Sequence, residues 1–166
     1  MTSITPNLWF NHEAAEAATF YTEIFGGKVL STFGEGPVDP QGKQQPITVE
    51  FEIVGMRFVG INGGLDEHGK PIFTPNEAVS LEIDFDDQAE LERVWHALIA
   101  DTGEPSYCGW LKDRYGFSWQ LVPANLVALI DGPDAEGAAR AMKMMMETKF
   151  VPLDGPALQA AYDGSA

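Results

Sequence analysis

The order strand, helix, strand, strand, strand occurs twice along the chain, with the second copy roughly 75 residues after the first. Alternating apolar residues predict strands of the first copy at 4–10, 28–33, 47–53 and 56–61. They predict strands of the second copy at 78–85, 109–112 and 117–122, with a weak strand near 106–107. In each copy a helix with an apolar stripe follows the first strand and must cover one face of the sheet. The pattern therefore predicts an α+β fold of two βαβββ modules around a shared cleft, with C-terminal helices.

The repeat divides the chain into three segments within one structural domain. Residues 1–64 form the first βαβββ module, residues 65–125 form the second, and residues 126–166 form a C-terminal helical extension.

The extension is predicted to contain two helices. Asp134 is placed to cap the first, and Pro156 to begin the second. The first helix carries four side chains on one stripe, Ala138, Met142, Met145 and Met146. Such a stripe either faces a core, which can belong to a partner subunit, or forms an adaptable surface for a protein partner.

Charge and composition exclude several classes of partner. The formal net charge is -15, and no cluster of Lys and Arg could neutralise phosphates, so nucleic acid and anionic membrane surfaces are not expected to bind. Aromatic residues make up 11% of the chain, which favours a packed core over acidic disorder. Cys108 is the single cysteine, no apolar run approaches the ~20 residues of a membrane span, and no signal-peptide pattern precedes the first strand. We expect a cytoplasmic protein.

Strand alternation leaves each sheet with one polar and aromatic face, and two such faces side by side would line a cleft. The predicted ligand-binding residues are Thr5, Asn7, Trp9, Asn62, Ser80, Glu82, Trp110 and Gln120, and Ser118 also falls on this lining. Aromatic rings beside a few amides and hydroxyls are typical of a pocket for a small molecule. Glu82 is the one candidate for a catalytic role, as an acid or base paired with another carboxylate, and the alternative is a solvated side chain.

Several motifs resemble one known family over nearly the whole chain. They are LWFN at 8–11, FY at 20–21, IFG at 24–26, NGG at 62–64, NEAVS at 76–80, DQ at 87–88, CGWLKD at 108–113, YG at 115–116 and SWQLVP at 118–123, with a further likeness at 142–162. They resemble the vicinal oxygen chelate superfamily, also called the glyoxalase/bleomycin-resistance fold. The specific resemblance is to its PhnB-like branch, which bears the label 3-demethylubiquinone methyltransferase.

The resemblance implies four metal positions in the cleft for metal-using members of the superfamily. By pattern these positions fall on Thr5 or Pro6, Asn62, Ser80 and Gln120. Neutral hydroxyls and amides are poor ligands for Mn, Fe, Ni or Zn, so neither a metal nor another cofactor is predicted. The methyltransferase label is not supported either, because no glycine-rich loop leads from a first parallel strand into a helix.

The sequence therefore favours a metal-independent protein that binds a small molecule in its cleft and works as a homodimer. One alternative is a metal-dependent lyase, isomerase or dioxygenase of the same superfamily. Another is a protein-interaction role through the methionine-rich helix.

Overall fold

The computed structural model describes residues 2–165, which form two compact units, one up to Pro75 and one from Asn76 onward. The first unit contains β1 (Asn7–Phe10), α1 (Ala14–Phe25), β2 (Gly27–Phe33), β3 (Thr48–Ile53) and β4 (Met56–Asn62). Its four strands form one sheet in the order β1-β4-β3-β2. β1 pairs with β4 in parallel, and the other pairs are antiparallel.

The second unit repeats this arrangement. It contains β5 (Ser80–Phe85), α2 (Gln88–Leu98), β6 (Glu104–Pro105), β7 (Trp110–Lys112) and β8 (Ser118–Pro123), in the sheet order β5-β8-β7-β6. β5 and β8 are parallel, as β1 and β4 are in the first unit. The two predicted βαβββ modules are therefore confirmed.

Two strands begin two or three residues later than the sequence predicted. Ile4 is 94% exposed and precedes β1, and Val79 is 75% exposed and precedes β5. The reason is pairing, because the ladder between β1 and β4 starts at Asn7 and the one between β5 and β8 starts at Ser80. Apolar character alone does not extend a strand that lacks a neighbour.

The core of the first unit lies between α1 and one face of its sheet. Tyr21 of α1 stacks on Phe51, which stacks on Phe58, with ring centroids 5.9 and 5.5 Å apart. Alanines on the inner side of α1 let the helix approach closely. A Cβ at Gly60 would lie 3.0 Å from the Cβ of Ala14. A larger residue at position 60 would therefore require α1 or β4 to shift by a few tenths of an ångström.

The second unit has two apolar clusters. α2 covers one face of the sheet, where Trp95, Leu111, Trp119 and Leu121 are fully buried. The C-terminal residues form the other cluster, in which α3 (Leu126–Ile130), α4 (Ala135–Glu147) and α5 (Gly155–Asp163) surround a buried group of side chains. That group consists of Val122, Leu126, Leu129, Ala141, Leu153 and Leu158.

The C-terminal helices correct the predicted methionine stripe. Asp134 does cap α4, and a proline does stand in the first turn of α5, but α3 was not predicted. Of the predicted stripe, Met145 packs against the apolar cluster together with Met144, whereas Met142 and Met146 are exposed. Gly137 and Ala141 are the buried positions of α4, which rotates the inward stripe relative to the prediction.

Three loops end in the same five-residue turn. Asp39, Asp66 and Asp113 each accept hydrogen bonds from the backbone N–H groups two and four residues later. A glycine with positive φ stands at the fourth position of each turn: Gly42, Gly69 and Gly116. The loops between β2 and β3 and between β4 and β5 thus contain small hairpin tips. Across residues 2–165, no helix has both the length and the apolar character to cross a bilayer.

Candidate functional site

Each sheet has one face against its own α1 or α2 and one face that points away from it, here called the distal face. On the distal face of the second sheet, strand register sets side chains in rows. Ser80, Ser118, Lys112 and Glu104 form one row, and Glu82, Gln120 and Trp110 form the next. The C-terminal helices cover the far end of this face at Val122.

Ser118 is the most unusual side chain of this face. It is only 3% exposed, and its Oγ has no hydrogen-bond partner among residues 2–165. Its neighbour Ser80 differs, because the Ser80 Oγ accepts a hydrogen bond of 2.8 Å from Gln120 Nε2. A buried hydroxyl without a partner costs free energy, so its presence requires an explanation.

Ser118 lines a cavity of about 110 Å³ at the edge of the second sheet. The cavity is lined also by Glu77, Glu104, Trp110 and Lys112. The cavity therefore combines an aromatic ring, a hydroxyl and three charged groups, which is the mixture that small-ligand sites use.

The charges at this cavity hold one another in their ionised forms. Lys112 Nζ forms an ion pair with Glu77. The hydrogen bond to Glu77, with an attraction from Glu104, raises the pKa of Lys112, and the same hydrogen bond lowers the pKa of Glu77. Both groups are thus charged at neutral pH.

Glu82 lies beside Gln120 in the strand register and is exposed, as is Asp84. Acid–base catalysis by two carboxylates requires that burial separate their proton affinities. Solvent exposure fits the solvated alternative, and a catalytic role for Glu82 stays a prediction.

On the first sheet, Trp9 lies on the distal face, as predicted from its position opposite Leu8 and Phe10. Its ring meets Phe73 edge-on at 4.8 Å between centroids. A Cβ at Gly63 would lie 1.8 Å from Trp9 Cζ2, so the indole occupies the space above that glycine. The Trp9 Nε1–H is buried and, in the described part of the chain, has no acceptor.

Asn7 and Thr5 lie near Trp9 but form no enclosed site. Asn7 is exposed, and its Nδ2 donates a 2.9 Å hydrogen bond to the Thr5 carbonyl. Thr5 precedes β1 and is partly exposed. Their predicted roles in ligand binding stay predictions.

Asn62 is a correction to the predicted site. It is 4% exposed and faces α1, on the same side of β4 as Phe58 and Gly60. Its Oδ1 accepts a 2.9 Å hydrogen bond from Ala14 N–H, and its Nδ2 donates one of 2.8 Å to the Pro46 carbonyl. Alternation along β4 puts Asn62 under the helix, where it serves the fold and cannot reach a ligand on the distal face.

At three of the four implied metal positions the side chains already bind other groups of the protein. In the first unit, Asn62 has both amide atoms engaged beneath α1. In the second unit, Ser80 and Gln120 bind each other. No group of three or more His, Cys, Asp or Glu side chains is arranged to hold a metal among residues 2–165.

Sequence reasoning missed Glu77, Glu104 and Lys112 as site residues. The weak strand was predicted at 106–107, whereas β6 is Glu104–Pro105, which sets Glu104 opposite Lys112. Glu77 comes from the loop before β5, lines the cavity and forms the ion pair with Lys112. The available signal was the alternation of Trp110 and Lys112 on one side of β7, with Leu111 buried on the other.

A larger cavity of about 550 Å³ lies at the N-terminal ends of α2 and α5, lined by Gln88, Asn125 and Pro156 among others. Gln88 already binds the backbone there, since its Nε2 donates to the Leu153 carbonyl and its Oε1 accepts from Gly155 N–H. The side chain of Gln88 thus joins the start of α2 to the start of α5.

Comparisons with known proteins agree with the fold. Residues 2–122 match the model of a family described as 3-demethylubiquinone-9 3-methyltransferase. The match spans both βαβββ modules and ends before α3, so the likeness predicted for 142–162 stays a prediction. No curated protein matches the chain.

Several solved structures are similar to the chain. A putative 3-demethylubiquinone-9 3-methyltransferase, PhnB protein, from Bacillus cereus is 30% identical with a TM-score of 0.58, over 73% of this chain and 99% of that one. Protein PA1353 from Pseudomonas aeruginosa is 21% identical with a TM-score of 0.58, over 74% of this chain and 98% of that one. A possible glyoxalase from Bacillus cereus aligns at 14% identity and a TM-score of 0.47, over 73% and 97% of the two chains.

Proposed function

The chain belongs to the 3-demethylubiquinone-9 3-methyltransferase family, the PhnB-like branch of the vicinal oxygen chelate superfamily, and from this premise we propose that it binds a small organic molecule without a metal ion. The proposed binding surface is the distal face of the second sheet, around Trp110, Ser118 and Gln120.

One observation carries the proposal: the buried Oγ of Ser118 borders a cavity and has no partner within residues 2–165. Buried polar groups in proteins are nearly always satisfied, and a ligand that supplies the missing hydrogen bond would account for the exception. Trp110 beside the same cavity offers the apolar area that small-ligand sites need.

The activity in the family's description is not part of the proposal. A Rossmann-type methyltransferase binds its cofactor where neighbouring parallel strands end, after a glycine-rich loop. In residues 2–165 each sheet contains a single parallel pair, and Gly34, Glu35 and Gly36 lead from β2 into Pro37. This topology supports binding more than methyl transfer.

A thermal-shift screen of metabolites in the presence of a chelator tests the proposal. A ligand at one hundred times its Kd adds about 2.7 kcal/mol, which at about 2–4 °C per kcal/mol raises Tm by about 5–10 °C. Trp110→Ala and Ser118→Ala should each abolish most of that shift. Phe33→Ala, at an exposed aromatic of the first unit, should leave it unchanged.

Two results would reject the proposal. One is a ligand shift that survives both Trp110→Ala and Ser118→Ala. The other is a stoichiometric effect of Mn, Ni, Zn or Fe that Gln120→Ala removes, which would favour the metal-dependent alternative.

The predicted homodimer also stays a proposal. Near the end of α4, Met146, Phe150 and Val151 are each more than half exposed, which offers apolar surface that a second copy would cover. Sedimentation at micromolar concentration should give the mass of two chains, and a single-chain mass would reject the dimer.

A further inference from the structure

The side chains that line the cavity beside Ser118 carry a net charge. Glu77 and Glu104 contribute two negative charges to its lining and Lys112 one positive charge, so the lining carries a net charge of -1. Glu82 and Asp84 are exposed on the same distal face and add to the negative potential. Anionic ligands are therefore disfavoured there, and cationic ones are attracted.

The Ser118 Oγ is a hydrogen-bond acceptor within this negative potential. It is a hydroxyl with acceptor lone pairs, buried and without a partner in the described residues. The side chain is 3% exposed, so the cavity is the place from which a partner could reach it. A donor with positive charge would satisfy the hydroxyl and suit the surrounding carboxylates at the same time.

The volume of the cavity and the ring of Trp110 beside it limit the size of the ligand. The face of an aromatic ring offers apolar area against which an alkyl chain can pack. The cavity of about 110 Å³ would hold three or four water molecules at about 30 Å³ each. That space suits a charged head group on a short chain, and it is too small for a ring system.

We propose that this cavity takes the primary ammonium group of a small organic amine, with Ser118 Oγ and Glu104 accepting its hydrogen bonds and Trp110 flanking its alkyl chain. The inference rests on the proposed function, because it names the ligand class of the same face.

Titration of ¹⁵N-labelled protein with three matched probes tests the ligand class. The probes are propylammonium, propyltrimethylammonium and propanoate at equal ionic strength. Propylammonium should shift the resonances of Trp110, Lys112 and Ser118. Propyltrimethylammonium, which cannot donate a hydrogen bond, and propanoate, which is repelled, should bind at least about tenfold more weakly.

Four variants separate the contributions. Ser118→Ala should raise the Kd of propylammonium at least about threefold, and Glu104→Gln about tenfold. Lys112→Met should lower the Kd, because it removes the competing positive charge. Glu23→Gln, the same change of charge on exposed α1 surface, should have no effect.

The outcomes separate this inference from the proposed function. Tighter binding of propanoate, equal binding of the trimethyl probe, or weaker propylammonium binding in Lys112→Met would each overturn the ligand class. If no probe shifts this face, the amine inference fails, and the metabolite screen decides on the proposed function separately.

Discussion

Asn62 shows how one buried side chain joins two elements of the first unit. It accepts from the first backbone N–H of α1 and donates to the carbonyl of Pro46. It thereby satisfies one of the N–H groups that a helix start leaves open. Glu13, directly before the helix, caps nothing in α1 and instead accepts from the N–H groups of Asn11 and His12.

Replacing Asn62 by Ala should lower the free energy of unfolding by about 1–3 kcal/mol, because the buried Ala14 N–H and the partly buried Pro46 carbonyl lose their partner. The matched control is Asn7→Ala, at an exposed amide, where the change should stay within about 0.5 kcal/mol. Urea unfolding of both variants measures the difference. Equal losses for the two would contradict the structural role given to Asn62.

Single residues of the site were predictable to different degrees. Period-two counting placed Trp9, Ser80 and Gln120 on the distal faces, and the same counting from Phe58 would have placed Asn62 under α1. Asn62 was instead assigned to the cleft from the metal position that the family resemblance implies. Glu104 and Glu77 were beyond prediction, since a two-residue strand and a loop side chain leave no periodic signal.

The five-residue turns are the clearest recurring element. In each one the aspartate carbonyl accepts from the glycine N–H three residues later, and the aspartate N–H donates to the carbonyl of the fifth residue. Positive φ at the glycine is what lets the chain close, since other residues rarely adopt it. The spacing Asp-x-x-Gly is common to all three turns and is visible in the sequence.

The three turns differ in burial, which gives a test at this scale. Asp113 is 2% exposed, and its Oδ2 also accepts a 2.8 Å hydrogen bond from buried Trp119 Nε1–H. Asp113→Ala should therefore cost at least about 3 kcal/mol, because three donors are left without their acceptor.

The control is Asp66→Ala, which removes the same two turn hydrogen bonds at an exposed position. It should cost at most about 1 kcal/mol. Thermal unfolding of both variants measures the contrast. A loss at Asp66 as large as that at Asp113 would show that the turn itself, and not the buried link to Trp119, determines the cost.

At the scale of the molecule, the doubled element order was enough to predict two βαβββ modules, because each helix has one sheet to cover. The packing of residues 126–166 was not predictable in the same way. α3 has five residues, and its place depends on contacts of Leu126 and Leu129 with side chains far along the chain, such as Leu153 and Leu158. Helical spacing gives no information on such partners.

The central claim is that a ligand binds on the distal face of the second sheet without a metal. The most direct test titrates the strongest ligand of the screen into ¹⁵N-labelled protein, in the presence of a chelator, and maps the amide shifts. We expect the perturbed amides to cluster at residues 77–82, 104–112 and 118–120. Perturbations confined to the larger cavity at the start of α2 and α5, around Gln88 and Asn125, or binding that disappears with the chelator, would contradict it.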